Sequence, residues 1–231
     1  MKIHGLQKMT LLDYPGRVAC TVFLGGCDFR CPFCHNFPLV DGSAPALMDD
    51  RALFAFLEKR RGLLDGVAFT GGEPCLHGDL PELLRGVRAM GFAVKLDTNG
   101  AHPDMLGRLL SEKLVDYVAM DIKNSPEKYA ATAGLKALDL APIRESARLL
   151  TAGDAGYEFR TTAVDELHEV SDFDAIGAWI AGAKHYFIQV FTDRDTVPFG
   201  NLHAPSPEKL RACLETARKY VPGSALRGAE V

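Results

Sequence analysis

Short, unbroken apolar runs alternate along this chain with longer stretches in which apolar residues recur every three or four positions. Val18 to Leu24 is apolar and β-branched throughout, the pattern of a strand buried on both faces. Gly66 to Thr70, Phe92 to Asp97, Leu114 to Met120, Tyr157 to Val164 and His185 to Phe191 read as further strands. Between them lie helical stripes. Leu53, Phe56 and Leu57 follow a cap at Asp49 or Asp50. Leu80, Leu83, Leu84, Val87 and Met90 follow Asp79, with Glu82 as its capping-box partner and Gly91 as the stop. Pro103 opens a helix carrying Met105, Leu106, Leu109 and Leu110; Ser171 caps one carrying Phe173, Ile176 and Ile180; Ser206-Pro207 opens one carrying Leu210, Cys213, Leu214 and Ala217. Pro126 to Ala133 and Pro142 to Leu150 also read as helical. Residues 1–16 follow neither period and read as an irregular lead-in ending in the turn Asp13-Tyr14-Pro15-Gly16; residues 38–45 read as a connector.

Six strands alternating with helices predict an α/β fold, a parallel sheet with right-handed crossovers. A closed eight-stranded barrel takes roughly 250 residues. The 231 residues here suit a partial (β/α)6 barrel open on one side. One domain is expected over 1–231: the lead-in 1–16, the barrel 17–195, and a C-terminal extension with its helix over 196–231.

Composition narrows the class. Hydrophobic residues make up 47% of the chain, ordinary for a globular protein. No apolar run approaches the ~20 residues of a membrane helix, and residues 1–8 hold no signal-peptide core. A cytoplasmic protein with reduced thiols is expected, so its six cysteines point to metal or catalysis rather than disulfides. A net charge of −4 gives no basic footprint for nucleic acid.

The candidate chemistry starts directly after the first strand, where Cys27, Cys31 and Cys34 stand at a C-x3-C-x2-C spacing. Thiolates are soft ligands suited to iron–sulfur clusters or zinc, and a cluster with three protein thiolates keeps one iron open. Other readings fit parts of the loop. Cys31-Pro32-Phe33-Cys34-His35 matches c-type haem attachment, Cys31 with Cys34 a thioredoxin-like pair, and the three cysteines with His35 a closed zinc site. Haem attachment goes with export, a redox pair leaves Cys27 unexplained, and structural zinc needs no special residues downstream. Special residues do follow the next strands: Gly71-Gly72-Glu73, Asp97-Thr98-Asn99 and Asp121-Ile122-Lys123. Parallel strands bring those ends to one mouth, where barrel active sites sit. This convergence favours the open cluster.

Gly71-Gly72 either lets a ligand approach the backbone or makes a tight turn. Lys95 with Asp97, and Asp121 with Lys123, share faces of their strands, as strand-end salt bridges or as ligand contacts. Arg160 points into the barrel, suiting a carboxylate, or faces outward. Cys20 and Cys213 read as core thiols and Trp179 as helix packing; Cys75, close to the active face, reads as structural or as a substrate contact; His77, His102, His168 and His203 carry no spacing that gives them a role.

Cys27–Asn36, with Phe33 as the aromatic before the third cysteine, resembles the cluster motif of the radical S-adenosylmethionine (SAM) superfamily. Gly5-Leu6-Gln7-Lys8, Asp13-Tyr14-Pro15-Gly16, Thr70-Gly71-Gly72-Glu73-Pro74, Leu96-Asp97-Thr98-Asn99-Gly100 and the run from Val115 to Lys123 extend the resemblance to about residue 195. These pieces are similar to the activating proteins of anaerobic ribonucleoside-triphosphate reductases. The resemblance implies a partial barrel. It implies a [4Fe–4S] cluster on Cys27, Cys31 and Cys34, with SAM chelating the fourth iron. It places Phe33, Gly71, Gly72, Glu73, Asp97, Thr98, Asn99, Asp121, Lys123 and Arg160 around SAM, with a monovalent cation held by Asp97, Thr98 and Asp121. It implies reductive cleavage of SAM to a 5′-deoxyadenosyl radical, fed by a flavodoxin- or ferredoxin-like electron donor, and a glycyl radical made on the partner reductase. Other glycyl-radical enzymes, or a small molecule as in deazapurine synthases, stand as alternative targets. One departure falls in the sixth strand run: Gln189-Val190-Phe191-Thr192-Asp193-Arg194 only loosely matches the glutamine-phenylalanine-arginine-like run of that branch.

Overall fold

Residues 1–228 are described by a computed structural model. Their strands are β1 (Lys2–Thr10), β2 (Ala19–Leu24), β3 (Met48–Asp49), β4 (Gly66–Gly71), β5 (Ala93–Thr98), β6 (Tyr117–Asp121), β7 (Gly156–Ala163), β8 (Tyr186–Val190) and β9 (Ser224–Arg227). They form one sheet in the order β3-β1-β2-β4-β5-β6-β7-β8-β9. The six expected strands are β2, β4, β5, β6, β7 and β8, all parallel to one another. The helices are α1 (Phe37–Val40), α2 (Asp50–Glu58), α3 (Leu80–Ala89), α4 (Pro103–Ser111), α5 (Tyr129–Thr132), α6 (Ala141–Ala152), α7 (Val170–Trp179) and α8 (Pro207–Arg218). The edges β3 and β9 do not meet, so the barrel is partial and open, as expected.

The apolar runs become two-faced burial. Val67, Ala68 and Phe69 are all fully buried in β4, as are Val94 and Leu96 in β5. On the concave side the alternation instead presents Lys95 and Asp97, then Asp121, then Arg160, to one another across β5, β6 and β7.

Three strands lie outside the expectation. The lead-in 1–16 is not irregular: it contains β1, antiparallel to β2, with bulges between Ile3 and Gly5 and between Gln7 and Thr10. Those bulges break the two-residue period that would have marked a strand. Gly5 is a glycine because Phe23 lies across from it; a Cβ there would sit 3.2 Å from the Phe23 side chain. The two-residue β3 pairs with Lys2 and Ile3, and β9 adds a seventh parallel strand beside β8.

Caps were only partly legible. Asp49 accepts from Ala52 N at 2.9 Å and Ser206 from Lys209 N at 3.2 Å, as expected. Asp79 makes no cap bond and instead lies 3.7 Å from the Met1 ammonium. α7 starts earlier than Ser171: Glu169 is its N-cap, in a capping box with Asp172. Pro126 to Ala133 contains only the single turn α5, and the connector over 38–45 begins inside α1. The end of the 196–231 extension, residues 229–231, lies outside the described residues. No helix among the described residues is long and apolar enough to cross a membrane.

Candidate active site

The strand ends that carry the special residues converge on one cleft of about 580 Å³. Cys27, Cys31, Phe33 and Cys34 line it, as do Gly71, Gly72, Asp97, Thr98, Asn99, Asp121, Lys123 and Arg160. Glu73 is the one expected site residue absent from the lining. It is 1% exposed. Its carboxylate accepts from Thr98 Oγ1 at 2.8 Å, Asn99 N at 2.6 Å and Cys75 N at 2.9 Å, which ties the end of β4 to the end of β5. Burial pushes its pKa up. Glu73 is therefore a strut under the cleft.

The glycine pair also has a local cause. A Cβ on Gly72 would fall 1.8 Å from Gly26 O, and one on Gly71 would fall 2.3 Å from Leu24 O. Gly71 also has φ +123, in the region that favours glycine. The backbone that approaches these glycines is the cysteine loop itself. Glu73 N donates to Gly26 O at 2.8 Å and Gly72 N to Leu24 O at 2.9 Å.

The cysteine loop is held from several directions. Asn99 Nδ2 donates to Asp28 Oδ1 at 2.8 Å, and His102 Nε2 lies 3.2 Å from Asp28 Oδ2. Burial would raise the Asp28 pKa, but the bonds from His102 and Asn99 outweigh it and leave the carboxyl below its ordinary value. The bond to Asp28 raises that of His102. His77 Nε2 is 2.9 Å from Gly25 O, and Arg30 N donates to Ala133 O at 2.8 Å. His35 stacks on Phe191 and places Nε2 2.6 Å from Thr192 O. Sequence reasoning gave His77 and His102 no role, because their partners are backbone and side-chain oxygens far along the chain. His168 likewise has a distant partner: it is buried behind Lys123 and contacts the Lys123 carbonyl at 2.9 Å. His203 contacts Glu166 on the surface.

Charges on the concave floor are mutually paired. Lys95 Nζ donates to Asp97 Oδ1, and Arg160 Nη1 donates to Asp97 Oδ2 at 3.2 Å. Arg160 Nε donates to Asp121 Oδ1 at 2.9 Å, and Lys123 Nζ to Asp121 Oδ2 at 2.9 Å. Burial opposes ionisation of both aspartates, yet Arg160 and the lysines hold their pKa values down, that of Asp121 to about 2. The salt-bridge reading of Lys95 and the inward reading of Arg160 are both realised.

Cys27, Cys31 and Cys34 line one cleft, a donor set of the kind a cluster with an open iron takes. Cys20, Cys75 and Cys213 are buried and do not line the cleft, so no fourth cysteine joins them. Burial pushes the thiol pKa of Cys27 up to about 12 and of Cys31 up to about 11, and raises that of Cys34. Metal coordination is what would turn them into thiolates. Among the described residues, no three His, Cys, Asp or Glu side chains close around a single metal ion. The donor set fits a [4Fe–4S] cluster, and Lys123 and Arg160 lie on the same floor of the cleft.

The comparisons agree. A Methanocaldococcus jannaschii protein with the provisional name glycyl-radical enzyme activating enzyme is 29% identical and covers 97% of this chain, which spans 95% of that protein. The pyruvate formate-lyase-activating enzyme of Clostridium pasteurianum is 30% identical over 53% of this chain and 52% of its own length. The crystal structure of Streptococcus suis SuiB bound to S-adenosylmethionine superposes with a TM-score of 0.69 at 12% identity, over 91% of this chain and 52% of that one, a likeness of fold. The model of the Radical SAM superfamily matches residues 21–170, the stretch from β2 to the start of α7 that carries all three cysteines and every strand end at the cleft, and this chain therefore belongs to that superfamily of [4Fe–4S], SAM-dependent enzymes.

Proposed function

We propose that this enzyme makes a glycyl radical on a partner enzyme, and that the partner is an anaerobic ribonucleoside-triphosphate reductase. The observation that supports the activase reading best is the near end-to-end similarity to a protein named for that activity. The open edge of the sheet agrees with it, because a glycine carried on a protein loop needs a cleft that is not roofed over. The reductase as partner is carried by the sequence motifs from Gly5 to Lys123.

When bound, the cluster and SAM supply hydrogen-atom abstraction after one-electron reductive cleavage of the sulfonium. The chain's own residues do the rest. Cys27, Cys31 and Cys34 would hold the cluster through three of its irons. Lys123 commits one contact to Asp121 and has further donors to turn toward the SAM carboxylate. Phe33, Gly71, Gly72, Asp97, Thr98 and Asn99 shape the wall against which SAM is oriented. Glu73 acts from beneath, through Thr98 and Asn99. Gln7, Thr10 and Leu12 from the lead-in, with Gln189 in β8 and Arg194 after it, form the rim that the partner loop would cross.

The relatives named as pyruvate formate-lyase activases favour a second target of the same chemistry, a formate-lyase-type glycyl-radical enzyme. Electron paramagnetic resonance on the anaerobically reconstituted enzyme tests both. It would be mixed with reductant, SAM and either partner, with 5′-deoxyadenosine assayed in the same tube. A glycyl doublet on the reductase alone supports the proposal; a doublet on the lyase alone moves the target. Deoxyadenosine with no doublet on either removes the activase reading.

A further inference from the structure

The resemblance calls for a monovalent cation between Asp97, Thr98 and Asp121, and the donor set does not fit one. All four carboxylate oxygens of the two aspartates already take a cationic donor from the chain. Lys95 takes one oxygen of Asp97, Lys123 one oxygen of Asp121, and Arg160 spans the remaining two with Nη1 and Nε at 3.2 and 2.9 Å. The Thr98 hydroxyl is engaged elsewhere: it donates to Glu73 at 2.8 Å and accepts from Gly100 N at 3.1 Å. The side chains are 17% exposed for Asp97, 28% for Asp121 and 12% for Arg160, so solvent does little to separate them. Three positive side chains face two negative ones, and a further cation would add repulsion where an anionic carboxylate of a ligand would be drawn in.

We infer that Arg160 is a built-in cation, filling the place of a metal ion between Asp97 and Asp121, so that this chain works without one. The guanidinium is suited to this. It is planar, always charged, and reaches two carboxylates on different strands from one side chain. It makes Arg160 a positioning residue for Asp97 and Asp121.

The test uses the full chain carrying its cluster, without SAM, in potassium chloride or in tetramethylammonium chloride at equal ionic strength. The native sequence should melt at the same temperature in both and show no saturable thallium(I) binding by 205Tl magnetic resonance. Arg160→Met should melt about 10 °C lower in tetramethylammonium chloride, because two largely enclosed carboxylates lose their shared partner, and should recover part of that in potassium chloride. Potassium-specific stabilisation or saturable thallium binding in the native sequence would overturn the inference. So would an Arg160→Met variant that melts with the native one in both salts. Should that variant not fold, the thallium titration of the native sequence decides alone. None of these readouts involves a protein substrate, so they stand or fall separately from the activase proposal.

Discussion

The side-chain amide of Asn99 donates to the carboxylate of Asp28 at 2.8 Å, joining the end of β5 to the cysteine loop 71 positions earlier. The same amide nitrogen lies 3.9 Å from Cys27 Sγ. Asn99 thus sets where the first thiol sits as well as lining the cleft. Its replacement by alanine leaves Asp28 with His102 and a long contact from Cys27 Sγ. A charge-assisted bond of this kind contributes about 2 kcal/mol, or a fall in melting temperature of about 6 °C in a chain of this size. The sharper readout is cluster retention. Iron should leave Asn99→Ala faster than the native protein under a chelator, and equal rates would show that the bond does not hold the loop.

Gly72 is expected to be far less replaceable than a glycine with open space around it. Alanine at Gly72 must displace Gly26 O, which lies 1.8 Å from the new Cβ, and with it the loop that carries Cys27. Gly62 has φ +75 and nothing within 4 Å of its Cβ position, so Gly62→Ala should cost about 1 kcal/mol of backbone strain and nothing at the site. Iron and sulfide per chain after reconstitution compare the two. The prediction is a loss of most of the cluster in Gly72→Ala and a full complement in Gly62→Ala.

His168 should make stability depend on pH in a window below neutrality. Burial holds its pKa below the ordinary 6.5, and its ring bridges Lys123 O and Val164. The folded chain therefore keeps it neutral where the unfolded chain takes up a proton. Its contribution is present above about pH 6.5 and is lost as pH falls toward the folded value, with a slope of at most about 1.4 kcal/mol per pH unit. Urea melts at pH 7.5, 6.5 and 5.5 should show a steeper decline for the native chain than for His168→Gln. Parallel declines would assign the pH dependence elsewhere.

The cysteines should divide three and three. Cys31→Ala is expected to abolish cluster assembly and SAM cleavage. Cys75→Ser changes a thiol that is 4% exposed, faces Glu73 and Thr98 and does not line the cleft. It should keep its iron and its 5′-deoxyadenosine yield, at a stability cost of about 1–2 kcal/mol for the buried hydroxyl. Visible absorbance and iron analysis of the two variants check this, and iron loss in Cys75→Ser would add that residue to the cluster's surroundings.

The parallel core was legible because its signals are local. A strand such as Val67-Ala68-Phe69 is apolar on both faces wherever it sits, and a helix stripe such as Leu80, Leu83, Leu84 and Val87 repeats within a few turns. The three cysteines needed only their spacing, and the convergence of Gly71, Asp97, Asp121 and Lys123 on one cleft needed only that parallel strands point the same way. β1 escaped because its bulges break the period, and β9 because four residues of mixed polarity carry none.

Partnership across distance was decided by the tertiary structure alone. Nothing near Arg160 in the chain says that its guanidinium spans Asp97 and Asp121, or that His102 and His77 brace a loop more than fifty positions away. Nor does the pair Gly71-Gly72 say that the cysteine loop, rather than a ligand alone, demands its missing side chains. Residue type and spacing determine which atoms can donate, accept or ligate, because those are properties of the side chain and its few neighbours. Which of them meet is set by the register and curvature of the whole sheet. Those follow from the packing of every strand at once.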